Sequence, residues 1–282
     1  MLTSTVIRLR ARGSGLLPRA MGEFGHAAFL AIVRQVAPDL SQALHDAGAR
    51  LPYSVSPLYG GRLTGRGVQV QPDRTYWMRF TILDPGLYAV FSRYFADSSA
   101  PDVAITLGGV PFAVEELTSS AKLDPWAGYT TFAKLASSAA CEPVVALQFW
   151  SLTAFSLGHG PGAAARYGIL PDPVLVFDSL LRRWNRFADA PLADPNEWRQ
   201  WLAEHVVVSA HRIRSESWQF RQHPQVGFVG DCTYQVVGGS AAQVRQLNAL
   251  ADFAFYAGVG MKTAMGMGQC RRVGRSASVL EG

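Results

Sequence analysis

Two strand-helix-strand-strand-helix-strand units in tandem, an α+β fold, are what this sequence predicts, and three observations carry the prediction. Short runs of period-two apolar alternation interleave with longer stretches whose apolar residues recur at helical spacing. The order of those runs in the first half returns in the second, although the sequence itself does not repeat. The chain has 282 residues, 49% of them hydrophobic and 11% aromatic, enough for two domains with cores of their own. Such a unit is ferredoxin-like, or RRM-like: two helices on one face of a four-stranded antiparallel sheet, the other face left for RNA or a partner sheet.

In the first half, Ile7 and Leu9 alternate with Arg8 and Arg10 and predict a strand over 6–11 that shows its arginines to solvent. Phe24, Ala27, Ala28, Ala31 and Ile32 recur as one helix face, and Leu40, Ala43 and Leu44 continue that period after Pro38-Asp39. Residues 50–61 read as an irregular, turn-rich segment. Val68 and Val70 open a second strand whose hairpin partner runs from Tyr76 to Leu83. Asp84-Pro85 is a helix cap with proline at the first helical position, leading into Leu87, Val90, Phe91, Tyr94 and Phe95. An extended run over 111–117 closes the unit.

The second half repeats the order. Strands are expected over 144–150, 206–220, 228–237 and 265–273, with helices over 171–187 and 242–255. This places an N-terminal domain at 1–120, a connection at 121–142 and a C-terminal domain at 143–282. Trp126, Tyr129 and Phe132 predict that the connection packs across the domains, since a floppy Gly/Ser tether would be poor in aromatics.

Composition narrows the function classes only mildly. Lys+Arg 26 against Asp+Glu 21 gives a net charge of +5, which permits a polyanion partner without requiring one. Cys141, Cys232 and Cys270 are far apart, with no CxxC, so neither a disulfide framework nor a four-ligand zinc site follows from them. Arginines break the apolar residues of the first ten positions, unlike a signal peptide, and no apolar stretch is long enough for a membrane helix. The reading is a soluble cytoplasmic protein with no cofactor, no metal site and no membrane contact.

The densest signal is the run from Phe255 to Arg272, with glycines at 258, 260, 266 and 268. It follows a helix and precedes a strand, so its glycines permit left-handed turns and let backbone amides face phosphates. A dinucleotide fingerprint would sit between a strand and the helix it opens, and a Walker loop needs glycine where Met261 stands before Lys262-Thr263, so both nucleotide readings fail. Gly258, Gly260, Lys262, Thr263, Gly266, Gly268 and Arg271 are therefore candidate phosphate contacts, the alternative being a glycine-rich turn with no ligand. Arg212 and Arg214 share one face of the long arm over 206–220 and extend that set along a phosphate backbone. Arg182, Arg183 and Arg186 around Trp184 form a weaker patch.

The motif Gly258-Val-Gly-Met-Lys-Thr-Ala-Met-Gly-Met-Gly resembles the C-terminal glycine-rich motif of the Cas6 family of CRISPR RNA-processing endoribonucleases. Phe228-Val-Gly-Asp-Cys-Thr-Tyr is similar to the strand before it, and residues 143–155 to the opening strand of the family's second domain. Ala43-Leu-His-Asp with Leu51-Pro-Tyr-Ser-Val-Ser-Pro-Leu is similar to the family's N-terminal histidine and the loop after it. The resemblance implies metal-independent cleavage of CRISPR repeat RNA in precursor transcripts, with the product held for interference-complex proteins. Attack by the substrate's own 2′-hydroxyl then leaves 5′-hydroxyl and 2′,3′-cyclic phosphate ends.

The resemblance carries the catalytic histidine onto His45. His26, in the preceding helix, is a second proton-transfer group for the same cleft, since histidine titrates near neutrality. Where some relatives place a tyrosine in the first helix, this chain has Phe29-Leu30, so the partner of His45 stays open. Arg50, near a position where some relatives carry lysine, and Lys262 are the expected phosphate stabilisers, with Ser54 and Ser56 as further hydrogen-bond donors. A monomer or homodimer is expected, and the alternative to the enzyme is a non-catalytic CRISPR RNA-binding or effector-scaffolding protein.

Overall fold

The computed structural model describes residues 1–48, 51–65, 67–96, 104–159, 165–220 and 224–274. Contacts divide the chain into two units. Unit 1 is Met1–Thr130 with two segments from the second half, Trp218–Pro224 and Lys262–Gly266; unit 2 is Thr131–Ser217, Gln225–Met261 and Met267–Gly282. Among the described residues no helix is long and apolar enough to cross a membrane.

Unit 1 runs β1 (Leu2–Ala11), β2 (Gly15–Leu17), α1 (Gly22–Val36), α2 (Pro38–Asp46), β3 (Tyr53–Val55), β4 (Arg62–Thr64), β5 (Gly67–Val70), β6 (Thr75–Ile82), α3 (Pro85–Ala96), β7 (Ala104–Leu107), β8 (Val110–Thr118) and β9 (Gly128–Thr130). Its main sheet has the order β3-β6-β1-β8-β7, with β9 also on β1, and its pairs are antiparallel. The four strands β3, β6, β1 and β8, with α1 and α3, are a ferredoxin-like unit. Alternation decides which face is apolar. Ile7, Leu9, Tyr53, Val55, Met78, Phe80 and Ile82 turn inward, against Phe29 and Ile32 of α1 and Leu87 and Phe91 of α3. Proline at the first position of α2 separates it from α1, and the Asp84 carboxylate caps α3 by accepting from the Leu87 N–H at 2.7 Å.

Three expectations change. Residues 53–55, read as irregular, form β3 at the edge of the sheet, where flanking Pro52 and Pro57 cost no ladder bonds. Strand β5 does not pair with β6; it joins β2 and β4 in a separate three-stranded sheet. The second face of the main sheet is not left open: Ser4, Ser54, Arg79 and Thr81 lie on it and are almost wholly buried. The Arg79 guanidinium lies 5.1 Å from the ring centroid of Trp126 and donates to Ser4 Oγ at 2.6 Å, while Ser4 Oγ donates to the Trp126 carbonyl at 2.5 Å. Trp126 thus packs inside unit 1.

Unit 2 contains α4 (Phe132–Ser137), β10 (Val144–Thr153), β11 (Phe155–His159), β12 (Ala165–Gly168), α5 (Pro173–Phe187), α6 (Pro195–His205), β13 (Val206–Gln219), β14 (Pro224–Val236), α7 (Ala241–Ala257) and β15 (Cys270–Val273), the tips of β13 and β14 belonging to unit 1. The sheet order β13-β14-β10-β15 is again ferredoxin-like, with α5 and α7 as the two helices. Phe132 packs on Trp184 and Phe253 of this unit, with ring centroids 5.0 and 5.4 Å away, and Tyr129 is exposed. Helix α6 and the β11-β12 hairpin are additions that the sequence reading did not foresee. The closing strand begins at Cys270 rather than 265, because 263–265 form a 3-10 turn and Gly266 and Gly268 hold φ of +88° and +69°, outside the extended region.

Candidate active site

The glycine-rich run leaves unit 2 and returns to it, and its tip is built into unit 1. Gly258 ends α7 at φ +69°, and Gly260 and Gly268 hold φ of +79° and +69° where a Cβ would lie 2.4 and 2.1 Å from carbonyl oxygens. Their amides are already engaged: Gly258 donates to Ala254 O, Gly260 to Ser179 Oγ and Gly268 to Leu152 O. These three glycines therefore serve turns and close packing, and the amide cradle expected at them is replaced by internal hydrogen bonds.

The tip is a plug. Thr263 and Ala264 are buried, Ala264 within the core of unit 1, so Thr263 is not the surface contact the sequence suggested. Gly266 touches Pro57, 3.6 Å from where its Cβ would be, and a Cβ on Gly22 of α1 would stand 1.9 Å from the Met265 carbonyl oxygen. Docking of the plug leaves Lys262 half-buried in a left-handed conformation at φ +53°. Its Nζ sits 4.5 Å from the centroid of Phe220, at the tip of the β13-β14 arm. Burial lowers the lysine pKa, and the charge of Glu23 on α1 opposes that shift.

One turn along α1 from Gly22 stands His26, half-buried, with Nδ1 2.8 Å from the hydroxyl of Tyr53 on β3. Gly25 allows this approach, because a Cβ there would lie 2.8 Å from Val55 Cγ1. Burial lowers the His26 pKa first, and the charge of His45 lowers it further. His45 ends α2 with its side chain 68% exposed, and its Nδ1 lies 3.1 Å from Asp46 Oδ1. It also borders a cleft of about 850 Å³ that Leu30, Arg34, Gln42 and Tyr94 line. The charge of His45 reaches His26, and two imidazoles on successive helices can between them give and take protons on one substrate.

The other expected residues fare differently. Arg50 lies outside the described residues. Ser54 and Ser56 are buried in the sheet, Ser54 Oγ 2.6 Å from Thr81 Oγ1 and Ser56 Oγ donating to Pro57 O, so they are not open to a phosphate. Arg212 and Arg214 are exposed on β13, and Arg214 pairs with Glu216 at 2.9 Å. Arg271 donates to Gln148 at 3.0 Å beside the half-exposed ring of Trp150. Of the weaker patch, Arg182 lines a cleft of about 500 Å³ in unit 2 together with Arg166 and Arg199 and is bonded to the Asp178 carboxylate at 2.9 Å. Among the described residues no group of three or more His, Cys, Asp or Glu side chains is placed to hold a metal ion.

The family model for the CRISPR Cas6 N-terminal domain matches residues 1–137, and that for the CRISPR-associated endoribonuclease Cas6 matches residues 147–270. A solved Cas6 product complex is 30% identical, covering 97% of this chain and 99% of its own, with a TM-score of 0.73. The chain belongs to the Cas6 family. A Thermus thermophilus Cas6 superimposes with a TM-score of 0.73 at 28% identity over 97% of this chain and 98% of its own. A second Cas6 product complex gives 0.82 at 29% identity, over 97% of this chain and all of its own. Among curated relatives, the CRISPR-associated endoribonuclease Cas6 of Streptococcus thermophilus is 32% identical over 116 residues, 40% of this chain and 46% of the relative. That of Mycobacterium tuberculosis is 30% identical over 125 residues, 44% of this chain and 37% of the relative. The matched stretches thus span less than half the length of either curated Cas6 relative.

Within this Cas6 chain, four residues of the site escaped sequence reasoning: Tyr53, Gly22, Glu23 and Phe220. For Tyr53 a signal existed, since it alternates with Val55 across a short apolar run after the loop, which seats both on the helix side of the sheet. Nothing local marks the other three.

Proposed function

We propose that this chain is a metal-independent endoribonuclease that cuts CRISPR repeat RNA in precursor transcripts by attack of the substrate's 2′-hydroxyl. The observation that carries the reading is the pair His26 and His45 on successive helices, the charge of His45 reaching His26, in the same unit as the Lys262 ammonium. Family membership supports it. The 2′-oxygen bonds to phosphorus as its proton passes to one imidazole; the bond from phosphorus to the 5′-oxygen breaks, and the other imidazole protonates that oxygen. The ends are a 2′,3′-cyclic phosphate and a 5′-hydroxyl. Lys262, with Arg50, balances charge on the phosphate as it crosses the pentavalent state.

In this reading the N-terminal domain supplies the proton-transfer groups and the C-terminal domain supplies the loop that presents Lys262. Arg212, Arg214 and Arg271, with the Arg166, Arg182 and Arg199 cleft, hold the RNA backbone. Processing takes place in the cytoplasm, and the product passes to interference-complex proteins. His26→Ala and His45→Ala test the assignment in single-turnover cleavage. Each is expected to slow cleavage by about 10²–10⁴-fold, as loss of a general acid or base does. Rates for both variants within about threefold of the parent would overturn it, and tight binding without cutting in the parent would leave an RNA-holding protein.

A further inference from the structure

We infer that Tyr53 is a positioning residue that makes His26 the base of the pair: its hydroxyl accepts the Nδ1 proton and turns the Nε2 lone pair to the RNA. The inference rests on the endoribonuclease reading and divides its two proton transfers. The hydroxyl lies 2.8 Å from Nδ1, and the two rings are within 12° of parallel at 5.9 Å. Tyr53 cannot drift, because it is wholly buried, stacked on Phe29 at 4.0 Å and paired in register with Ile82 of β6. Among the described residues Nε2 has no hydrogen-bond partner, so it is the nitrogen left for substrate.

Tyr53 faces His26 from β3 and the charge of His45 acts on it from α2; the charge of Glu23, three residues back on α1, acts on Lys262 of the plug. Burial keeps the Tyr53 phenol protonated and lowers the proton affinity of His26, so the ring enters the reaction neutral and able to accept. During the step the 2′-hydroxyl proton moves to Nε2 and both ring nitrogens of the imidazolium then carry hydrogen. Nδ1–H still donates to the Tyr53 oxygen, and His45 delivers the proton that the 5′-oxygen needs.

The direction of the hydrogen bond makes the inference testable. If Tyr53 accepts from Nδ1–H, removing it leaves the imidazolium unsupported and the His26 pKa falls further; if it donates to a bare Nδ1, removing it makes the pKa rise. Nitrogen-15 NMR of the parent protein reads the tautomer directly, and Tyr53→Phe keeps the ring packing while deleting the oxygen. The expected results are an Nδ1–H tautomer in the parent and a lower His26 pKa in Tyr53→Phe. Cleavage should be about ten- to hundredfold slower at saturating RNA, with affinity within about threefold, the signature of lost alignment. A parent that cleaves with an Nε2–H tautomer, or a Tyr53→Phe protein with parental rate, overturns this inference alone. A parent that binds repeat RNA and does not cut it overturns the endoribonuclease reading as well.

Discussion

Gly22→Ala should behave opposite to an ordinary glycine-to-alanine change at a helix start. In a free helix the substitution favours the fold by up to about 1 kcal/mol. Here the new Cβ would stand 1.9 Å from the Met265 carbonyl oxygen and 2.6 Å from its carbon, where ordinary contact begins at 3.4 Å. Helix and plug must separate by roughly 1.5 Å, the difference between those two oxygen distances. Overpacking of this kind costs about 1–3 kcal/mol, so the net effect is destabilising. The plug carries Lys262, and a displacement of about 1 Å at a reacting centre can cost on the order of 10²-fold in rate. Urea unfolding and single-turnover cleavage, measured on the same preparation, should show a lower midpoint and a rate tenfold to a hundredfold lower. A Gly22→Ala protein that is more stable than the parent and cuts at the parental rate would refute the docking of the glycine-rich tip on α1.

Other consequences concern stability and binding. Ser4→Ala deletes an acceptor of the buried Arg79 guanidinium, the one for its Nε–H, and should destabilise unit 1 by about 1.5–3 kcal/mol in urea unfolding, since a hydrogen bond to a charged group is removed. Asp194→Ala removes a carboxylate that caps α6 through the amides of Asn196 and Glu197 and should cost about 1 kcal/mol by the same assay. Because His26 has a folded-state pKa below its ordinary value of 6.5, the unfolded chain binds its proton more readily. The stability that this group contributes is present above that ordinary value and lost as pH falls through the folded one. The unfolding midpoint should therefore drop on acidification, and His26→Asn should flatten that part of the curve. Binding of repeat RNA should weaken as salt rises, and Arg212→Ala should reduce the slope of log affinity against log salt by roughly 0.7–0.9 for each phosphate left without its cation.

Much of this architecture is legible in the sequence because both of its periodicities are strong. Ile7 and Leu9 against Arg8 and Arg10 mark the central strand, Ala28 and Ile32 mark the helix that covers it, and Asp84-Pro85 marks where α3 begins. What escapes is whatever depends on distant partners. Strand β3 has three residues flanked by Pro52 and Pro57, so its one Tyr53/Val55 alternation is too brief to separate a strand from a loop, and it exists because β6 offers it an edge. Four glycines announce turns, but they do not say that 263–264 will be buried in the other half of the chain. The sheet face closed by Trp126 and Arg79 likewise depends on two residues 47 positions apart. His45 became a candidate through its resemblance to a known motif, and His26 through its place one helix earlier. Tyr53 takes meaning only when β3 and α1 come together, at a spacing that Gly25 permits.

The most direct test of the central claim uses the purified chain in EDTA with repeat RNA and with a copy carrying a 2′-deoxy sugar immediately 5′ of the cut phosphate. The account predicts one cut in the normal RNA, with 2′,3′-cyclic phosphate and 5′-hydroxyl ends, and none in the deoxy copy, which has no nucleophile at that position. Cleavage of both RNAs, or cleavage that EDTA abolishes, would contradict it.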